Sequence, residues 1–260
     1  MKDTLMGGRI ERERDGRGVE TVWLDNQDHR NTLNNVLIDA MASAINEASN
    51  DNNCRVIVIR GRGGIFCAGR ELRDLAALLD ADISLIQSTY HRLRLLNEAL
   101  YLCRKPTIAV VEKYAFGAGA TLATWCDIAI AEKEALFAYP EVRHGIVPSP
   151  IVMALNRGAP RKATMDLILT GRRINGEEAA RCHIITRAVP KIDLESDIQA
   201  TIADILKGSP DAIARTKDFI VHAEDASMRS AMHSAVDSIS IGLTHSETRR
   251  RISAFLAGAR

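Results

Sequence analysis

An α/β fold is what the sequence predicts, on three observations: short apolar runs that read as strands, amphipathic stretches between them that read as helices, and glycine-bearing turns joining one to the next. Residues 19–24 are the first strand, and the charged run 9–14 is expected to pair with it as an edge hairpin across Gly16-Arg17-Gly18. Val36, Leu37, Met41, Ala44, Ile45 and Ala48 then fall on one helical stripe. Residues 55–59 form a second strand that leads through a glycine-rich turn into a helix start, and a long helix is expected over 83–102. Residues 107–111 repeat the plan of strand, glycine turn and helix start, and 127–131 form a fourth strand. Beyond residue 140 helical segments follow, punctuated by Pro148, Pro150, Pro160, Gly171, Gly176, Pro190 and Pro210, with one short strand run at 184–189. The last stretch carries Ile213, Ile220, Met228, Ala231, Met232, Ala235, Val236, Ile239 and Leu243 at helical spacing. That is more apolar than a free helical tail tolerates, so it is expected to pack on the core or on another subunit.

With 260 residues, 46% hydrophobic and 26% charged, the chain suits one large domain, or a domain with an appendage. Lys plus Arg number 34 against 33 Asp plus Glu, a net charge of +1, so no overall field favours nucleic acid or an anionic membrane. An anionic ligand would have to be met by local clusters such as Arg60-Gly61-Arg62, Arg70 with Arg73, Arg104-Lys105 or Arg172-Arg173. Five widely spaced cysteines (Cys54, Cys67, Cys103, Cys126, Cys182), with no C-x-x-C, argue against a disulfide framework and against zinc, so no metal is expected. Residues 1–8 show no apolar leader core, and no run approaches the roughly 18 apolar residues of a membrane span. The cytoplasm, a reducing compartment, is the expectation.

The chemistry sits in two turns, Phe66-Cys67-Ala68-Gly69-Arg70-Glu71-Leu72 and Tyr114-Ala115-Phe116-Gly117-Ala118-Gly119-Ala120. Each follows an apolar run and opens a helical stretch. N–H groups at a helix start are unpaired within the helix and carry the positive end of its dipole, so the pair reads as a two-part oxyanion hole. Ala68 and Gly69 are small enough to let a ligand reach the backbone. Gly117-x-Gly119 is not a dinucleotide fingerprint, because Leu122 stands at the third glycine position. Cys67 and Cys126 read as packed residues rather than nucleophiles, and the Arg70 side chain reads as a surface residue beside a helix start.

These turns resemble the enoyl-CoA hydratase/isomerase, or crotonase, superfamily. So do, in order, Arg30-Asn31-Thr32-Leu33, the block from Lys105-Pro106 through Cys126-Asp127-Ile128, the stretch Phe137 to Pro148 containing Glu141 and Gly145, Leu169-Thr170-Gly171-Arg172 with Glu177-Glu178-Ala179, and Ala254-Phe255. The resemblance implies a ClpP/crotonase-like spiral of β-β-α units over 1–200, with a helical region over 201–260 that supports a homotrimer or a hexamer built as a dimer of trimers. It implies an acyl-CoA thioester as substrate and no cofactor beyond the coenzyme A of that substrate, while the charge balance and the lack of an apolar span leave no nucleic-acid or membrane partner expected. Carried over by position, the backbone N–H groups of Arg70 and Ala118 hold the thioester oxygen and Glu141 is the acid/base. Arg30, Ala68, Gly69, Gly117, Thr121, Tyr139 and Ser149 fall at substrate- or CoA-binding positions.

Family hydratases use two glutamates to hold and activate water, and here the first of those positions is Thr121. Ser149-Pro150 replaces a glycine-rich stretch, Tyr139 and His144 are bulkier than the usual occupants, and Lys113 stands where glycine is common. With one glutamate left, the simplest chemistry implied is isomerisation of an enoyl-CoA double bond. Hydration of an enoyl-CoA is the alternative within the family, and a catalytically silent acyl-CoA-binding protein is the alternative outside enzymology.

Overall fold

Every residue of the run Thr107–Val111 is buried, as is all but Arg60 of Val56–Gly61, which is the pattern of parallel strands covered on both faces. They occupy the middle of the sheet in a computed structural model that describes residues 8–258. In chain order, β1 (Arg9–Arg14) and β2 (Val19–Asp25) form an antiparallel hairpin, and α1 (Asn35–Asn50) leads to β3 (Val56–Gly61). Then come α2 (Leu72–Ala76), α3 (Ile83–Tyr101), β4 (Thr107–Val111), β5 (Tyr114–Phe116), α4 (Ala118–Trp125), β6 (Ile128–Glu132) and β7 (Leu136–Ala138). The chain continues through α5 (Ser149–Leu155), α6 (Arg161–Thr170), β8 (Ile174–Asn175), α7 (Gly176–Arg181) and β9 (Arg187–Val189), and finishes with α8 (Leu194–Lys207), α9 (Pro210–Asp225), α10 (Met228–Thr244) and α11 (Ser246–Leu256). The leader expectation for residues 1–8 rests largely on residues 1–7, which lie outside the described residues.

Two sheets grow in parallel as the chain winds. One has six strands in the order β1-β2-β3-β4-β6-β9, and the other has three in the order β5-β7-β8. From β2 to β6 each new strand of the large sheet is laid parallel to the last, by way of helices on one side. Between those visits the chain adds a short rung to a second stack: Leu33 bridges Arg70, Cys67 bridges Ala115, and β5 pairs with β7, all parallel. This is the β-β-α spiral. It brings the start of α2 and the start of α4, 46 residues apart in the numbering from Leu72 to Ala118, to the same rungs.

The helices cover the large sheet on both faces. Leu37, Ile38, Met41 and Ile45 of α1 join Leu96 and Leu100 of α3 over Ile57, Ile59 and Val111, while Leu194, Ile198 and Ile202 of α8 close the opposite face over Val56, Val58, Ile108, Val110 and Ile130. Each fully buried Leu or Ile contributes about 1.5–3 kcal/mol relative to exposure, so these layers hold the rungs in place.

Four details differ from the sequence reading. The run 127–131 becomes Ile128–Glu132, because Asp127 is taken up in bonding its side chain to the N–H of Thr107 at 2.7 Å and to its hydroxyl at 2.8 Å. Of 184–189 only Arg187–Val189 pairs, with Ile184 and Ile185 buried in the turn after α7. The strands β5, β7 and β8 are too short to show alternation. Helices fill the C-terminal region, but the stripe on α10 does not pack on this chain's core: Met228, Met232, Val236, Ile239 and Leu243 are exposed, and Ala231 is the buried residue of that helix.

Candidate active site

The first turn is pinned from the side of β2. Buried Asn31 accepts the Asn26 N–H at 2.9 Å and donates to the carbonyls of Arg62 at 2.9 Å and Ile65 at 2.6 Å. Leu33 then donates its N–H to the Gly69 carbonyl at 2.8 Å and accepts the Glu71 N–H at 3.0 Å. In a parallel bridge of this kind the residue between those two peptide groups turns its own N–H to the other side. The Arg70 N–H accordingly bonds to nothing among the described residues. Gly69 takes φ +99°, and a Cβ built on it would stand 2.8 Å from the Phe116 carbonyl oxygen and 3.7 Å from the Ala118 nitrogen. The two turns therefore touch backbone to backbone, and glycine is required for that contact.

The second turn is set by Gly117, whose N–H donates to the Ala138 carbonyl at 2.9 Å and whose φ is +49°. Ala118 follows as the first residue of α4, with an N–H that has no partner within the helix and none elsewhere among the described residues. Two free amides thus meet at the mouth of a helix. They border a cavity of about 70 Å³ lined by Arg70, Ala118, Thr121, Glu141 and the apolar side chains of Leu75, Leu93, Ile146, Val147 and Ile151. That cavity adjoins a cleft of about 450 Å³ with Ala68, Gly69 and Gly117 on its floor.

Glu141 opens a 3-10 turn after Pro140, and its Oε1 lies where a side chain on Gly117 would have to be. Burial pushes its carboxyl above the usual carboxylate range, and Oε2 has no hydrogen-bond partner. Among the described residues it is the one carboxylate lining either cavity. Its turn is braced from below, since Arg143 donates from Nε at 3.0 Å and Nη2 at 2.7 Å to the Thr170 carbonyl that ends α6, and a Cβ on Gly171 would lie 3.2 Å from the Pro140 Cα. Two amide donors, one buried carboxyl and an apolar pocket can hold a developing oxyanion and move a proton beside it.

Ala68, Gly69, Arg70, Gly117, Ala118, Thr121 and Glu141 each line one or both of these cavities. Thr121 lines the inner cavity, but its hydroxyl is already committed to the Gly117 carbonyl at 2.9 Å. Tyr139 does not line either cavity: it is 1% exposed in the core, with its hydroxyl 3.4 Å from that of Thr124. Arg30 and Ser149 also lie off the cavities. Arg30 is exposed, in a left-handed turn whose carbonyl accepts the Ala68 N–H, and exposed Ser149 starts α5 while Pro148 and Pro150 on either side face the pocket. The Arg70 side chain is a further correction, being buried at 10% exposure rather than on the surface. Lys113 adopts φ 59°, the left-handed conformation that glycine accommodates more readily.

What the sequence reading missed is the outer wall, Leu72, Leu75, Ala76, Leu78 and Leu79, with Tyr90 opposite. Leu72 and Leu79 are 73% and 83% exposed, apolar residues open to a cleft. Their spacing was visible, but nothing in it told a cleft wall from a packed helix face. Cys67 is fully buried and its thiol is pushed up to about 12, in keeping with a packed residue.

The family model described as Enoyl-CoA hydratase/isomerase matches residues 14–256. A probable enoyl-CoA hydratase, echA8, of Mycobacterium bovis is 33% identical over 219 residues, 83% of this chain and 82% of that protein. A putative enoyl-CoA hydratase of Thermus thermophilus is 29% identical over 205 residues, covering 78% and 80%. Among solved structures, an enoyl-CoA hydratase of Mycobacterium smegmatis superposes with a TM-score of 0.92 at 26% identity, covering 96% of this chain and 97% of that one.

Proposed function

Since the chain belongs to the enoyl-CoA hydratase/isomerase family, which acts on acyl-CoA thioesters, we propose that it isomerises the double bond of an enoyl-CoA, with Arg70 and Ala118 supplying the oxyanion hole and Glu141 the proton relay. The observation that carries this reading is the single carboxylate beside two free amides. The thioester oxygen accepts the Arg70 and Ala118 N–H groups, which lowers the cost of enolate formation; losing one such donor typically raises a barrier by about 3 kcal/mol. Ionised Glu141 takes a proton from C2 of a 3-enoyl thioester, and the negative charge spreads over the dienolate. The protonated carboxyl then returns a proton at C4, leaving the conjugated 2-enoyl thioester. Nothing is consumed, and the reading calls for no cofactor beyond the coenzyme A of the substrate.

Proton exchange from C2 of a bound thioester into deuterated water, together with formation of the conjugated product from a 3-enoyl-CoA, tests this. Binding without exchange would make the protein a silent acyl-CoA-binding member. Hydration is the competing reading, favoured by the names of the relatives, and Thr121 separates the two. Thr121→Glu restores a second carboxylate at the pocket, so it should raise hydration of a short 2-enoyl-CoA modestly over wild type, because the added charge also raises the pKa of its neighbour. A wild type that already hydrates such thioesters rapidly would replace isomerisation with hydration.

The same reading extends to assembly and location. The uncovered apolar stripe of α10 supports a homotrimer or a dimer of trimers, with 1–200 as the spiral core and 201–260 as the helical region that joins subunits. No helix among the described residues is long and apolar enough to cross a membrane, and five free thiols support a reducing compartment such as the cytoplasm.

A further inference from the structure

Arg70 is placed at this pocket twice, once by its amide and once by its side chain. The side chain is nine-tenths buried, and Arg70 lines both the inner cavity and the outer cleft. Its Nη2 donates to Asn35 Oδ1 at 3.0 Å and stands 3.9 Å from Asp74 Oδ2, but Nη1 is buried with no partner. Asp74 is itself engaged, accepting the Asn35 N–H at 3.0 Å. Glu141 does not neutralise the cation, since no ion pair forms between them within 4.0 Å. Apart from Arg70 and Glu141, the inner cavity is lined by Thr121, whose hydroxyl is committed to the Gly117 carbonyl, by Tyr90, and by apolar residues including Leu75, Leu93 and Ile151, none of which offers a counter-charge. An all-hydrocarbon acyl chain would be served by those walls and would leave the buried N–H group unmet.

We propose that Arg70 Nη1 recognises a carboxylate carried on the acyl chain, so that the preferred substrate is the CoA monothioester of a dicarboxylic acid. This rests on the acyl-CoA reading above and narrows it. A guanidinium held at Nη2 by Asn35 leaves Nη1 free to donate, and carboxylates accept guanidinium donors in a fork geometry. Desolvation disfavours the bare cation in this site, and a bound carboxylate reverses that penalty.

Wild-type protein should bind the CoA monothioester of glutaric acid at least tenfold more tightly than that of pentanoic acid, equal in chain length, by isothermal titration calorimetry. Arg70→Met should reduce that ratio to near one, and Arg70→Lys should retain part of it because the charge survives without the fork. Equal or weaker binding of the glutaric thioester by wild type overturns the inference even if neither variant folds, and so does a ratio unchanged in a folded Arg70→Met. Following C2 proton exchange of the pentanoic thioester in the same samples separates the two levels: exchange without carboxylate preference defeats only this inference. If neither thioester binds or exchanges, the acyl-CoA reading falls and takes this inference with it.

Discussion

Glu141, the proposed acid/base, sits where ionisation is disfavoured. A carboxyl buried against Gly117, with Oε2 unpartnered, resists ionising, so its pKa lies above the ordinary range. As a base it works only when ionised, so kcat/KM should climb with pH through that raised pKa and then level off, a limb displaced upward from a free glutamate. Glu141→Gln keeps the shape and removes the titration, and should lower turnover by at least about a hundredfold while the rising limb disappears. The linkage has the opposite sign for folding. A group whose pKa is raised in the folded state supports the fold fully below the unfolded pKa and withdraws that support as pH rises through the folded one. Glu141→Gln should therefore melt a few degrees above wild type at neutral pH, and the gain should vanish on acidification below the ordinary carboxylate range. Turnover that survives the substitution, or a melting gain independent of pH, would remove Glu141 from the role assigned to it.

Helix α4 is the element that ties the two turns together. Its second residue, Gly119, packs directly on Cys67: an added Cβ would collide with the Cys67 carbonyl oxygen and stand 2.8 Å from both Cβ and Sγ of that residue. The neighbour is a rung of the second stack bonded to Tyr114 and Phe116, so it has little room to yield. Gly119→Ala should thus push the start of α4 away from the Arg70 turn, separating the amides of Arg70 and Ala118. The expected outcome is a loss of about 1–3 kcal/mol in denaturant unfolding, the usual cost of overpacking, with turnover falling at least tenfold in the fraction that remains folded. A variant with native stability and full turnover would show that the contact between α4 and Cys67 does not set the spacing of the donors.

At the scale of the molecule, the apolar face of α10 is left uncovered by the single chain. Met228, Met232, Val236, Ile239 and Leu243 lie three or four residues apart on one side of the helix, and all are exposed in the single chain. A continuous apolar stripe of that length is characteristic of an interface. Sedimentation velocity at micromolar concentration should give a trimer or hexamer, and the double variant Met232→Glu with Ile239→Glu should give a smaller species. A monomeric wild type would overturn the assembly. The α8 layer needs no second subunit, because Leu194, Ile198 and Ile202 already close the large sheet from within the chain.

It is by resemblance to the family that Thr121 stands where a second carboxylate would be, whereas the sequence by itself determined the strands and long helices that carry their own periodicity and the two glycine turns. Those features are local: alternation, helical spacing and a glycine's backbone freedom are properties of neighbouring residues. Strands of two or three residues such as β5, β7 and β8 carry no such pattern, and only the pairing of Leu33 with Arg70 and of Cys67 with Ala115 reveals that the chain winds two sheets at once. Side-chain direction was likewise decided in three dimensions. Tyr139 turned into the core, Leu72 and Leu79 turned to the cleft, and the Arg70 guanidinium turned inward beside its own amide. Which face of a turn looks at a pocket depends on what packs behind it, and that partner lies dozens of residues away in the chain.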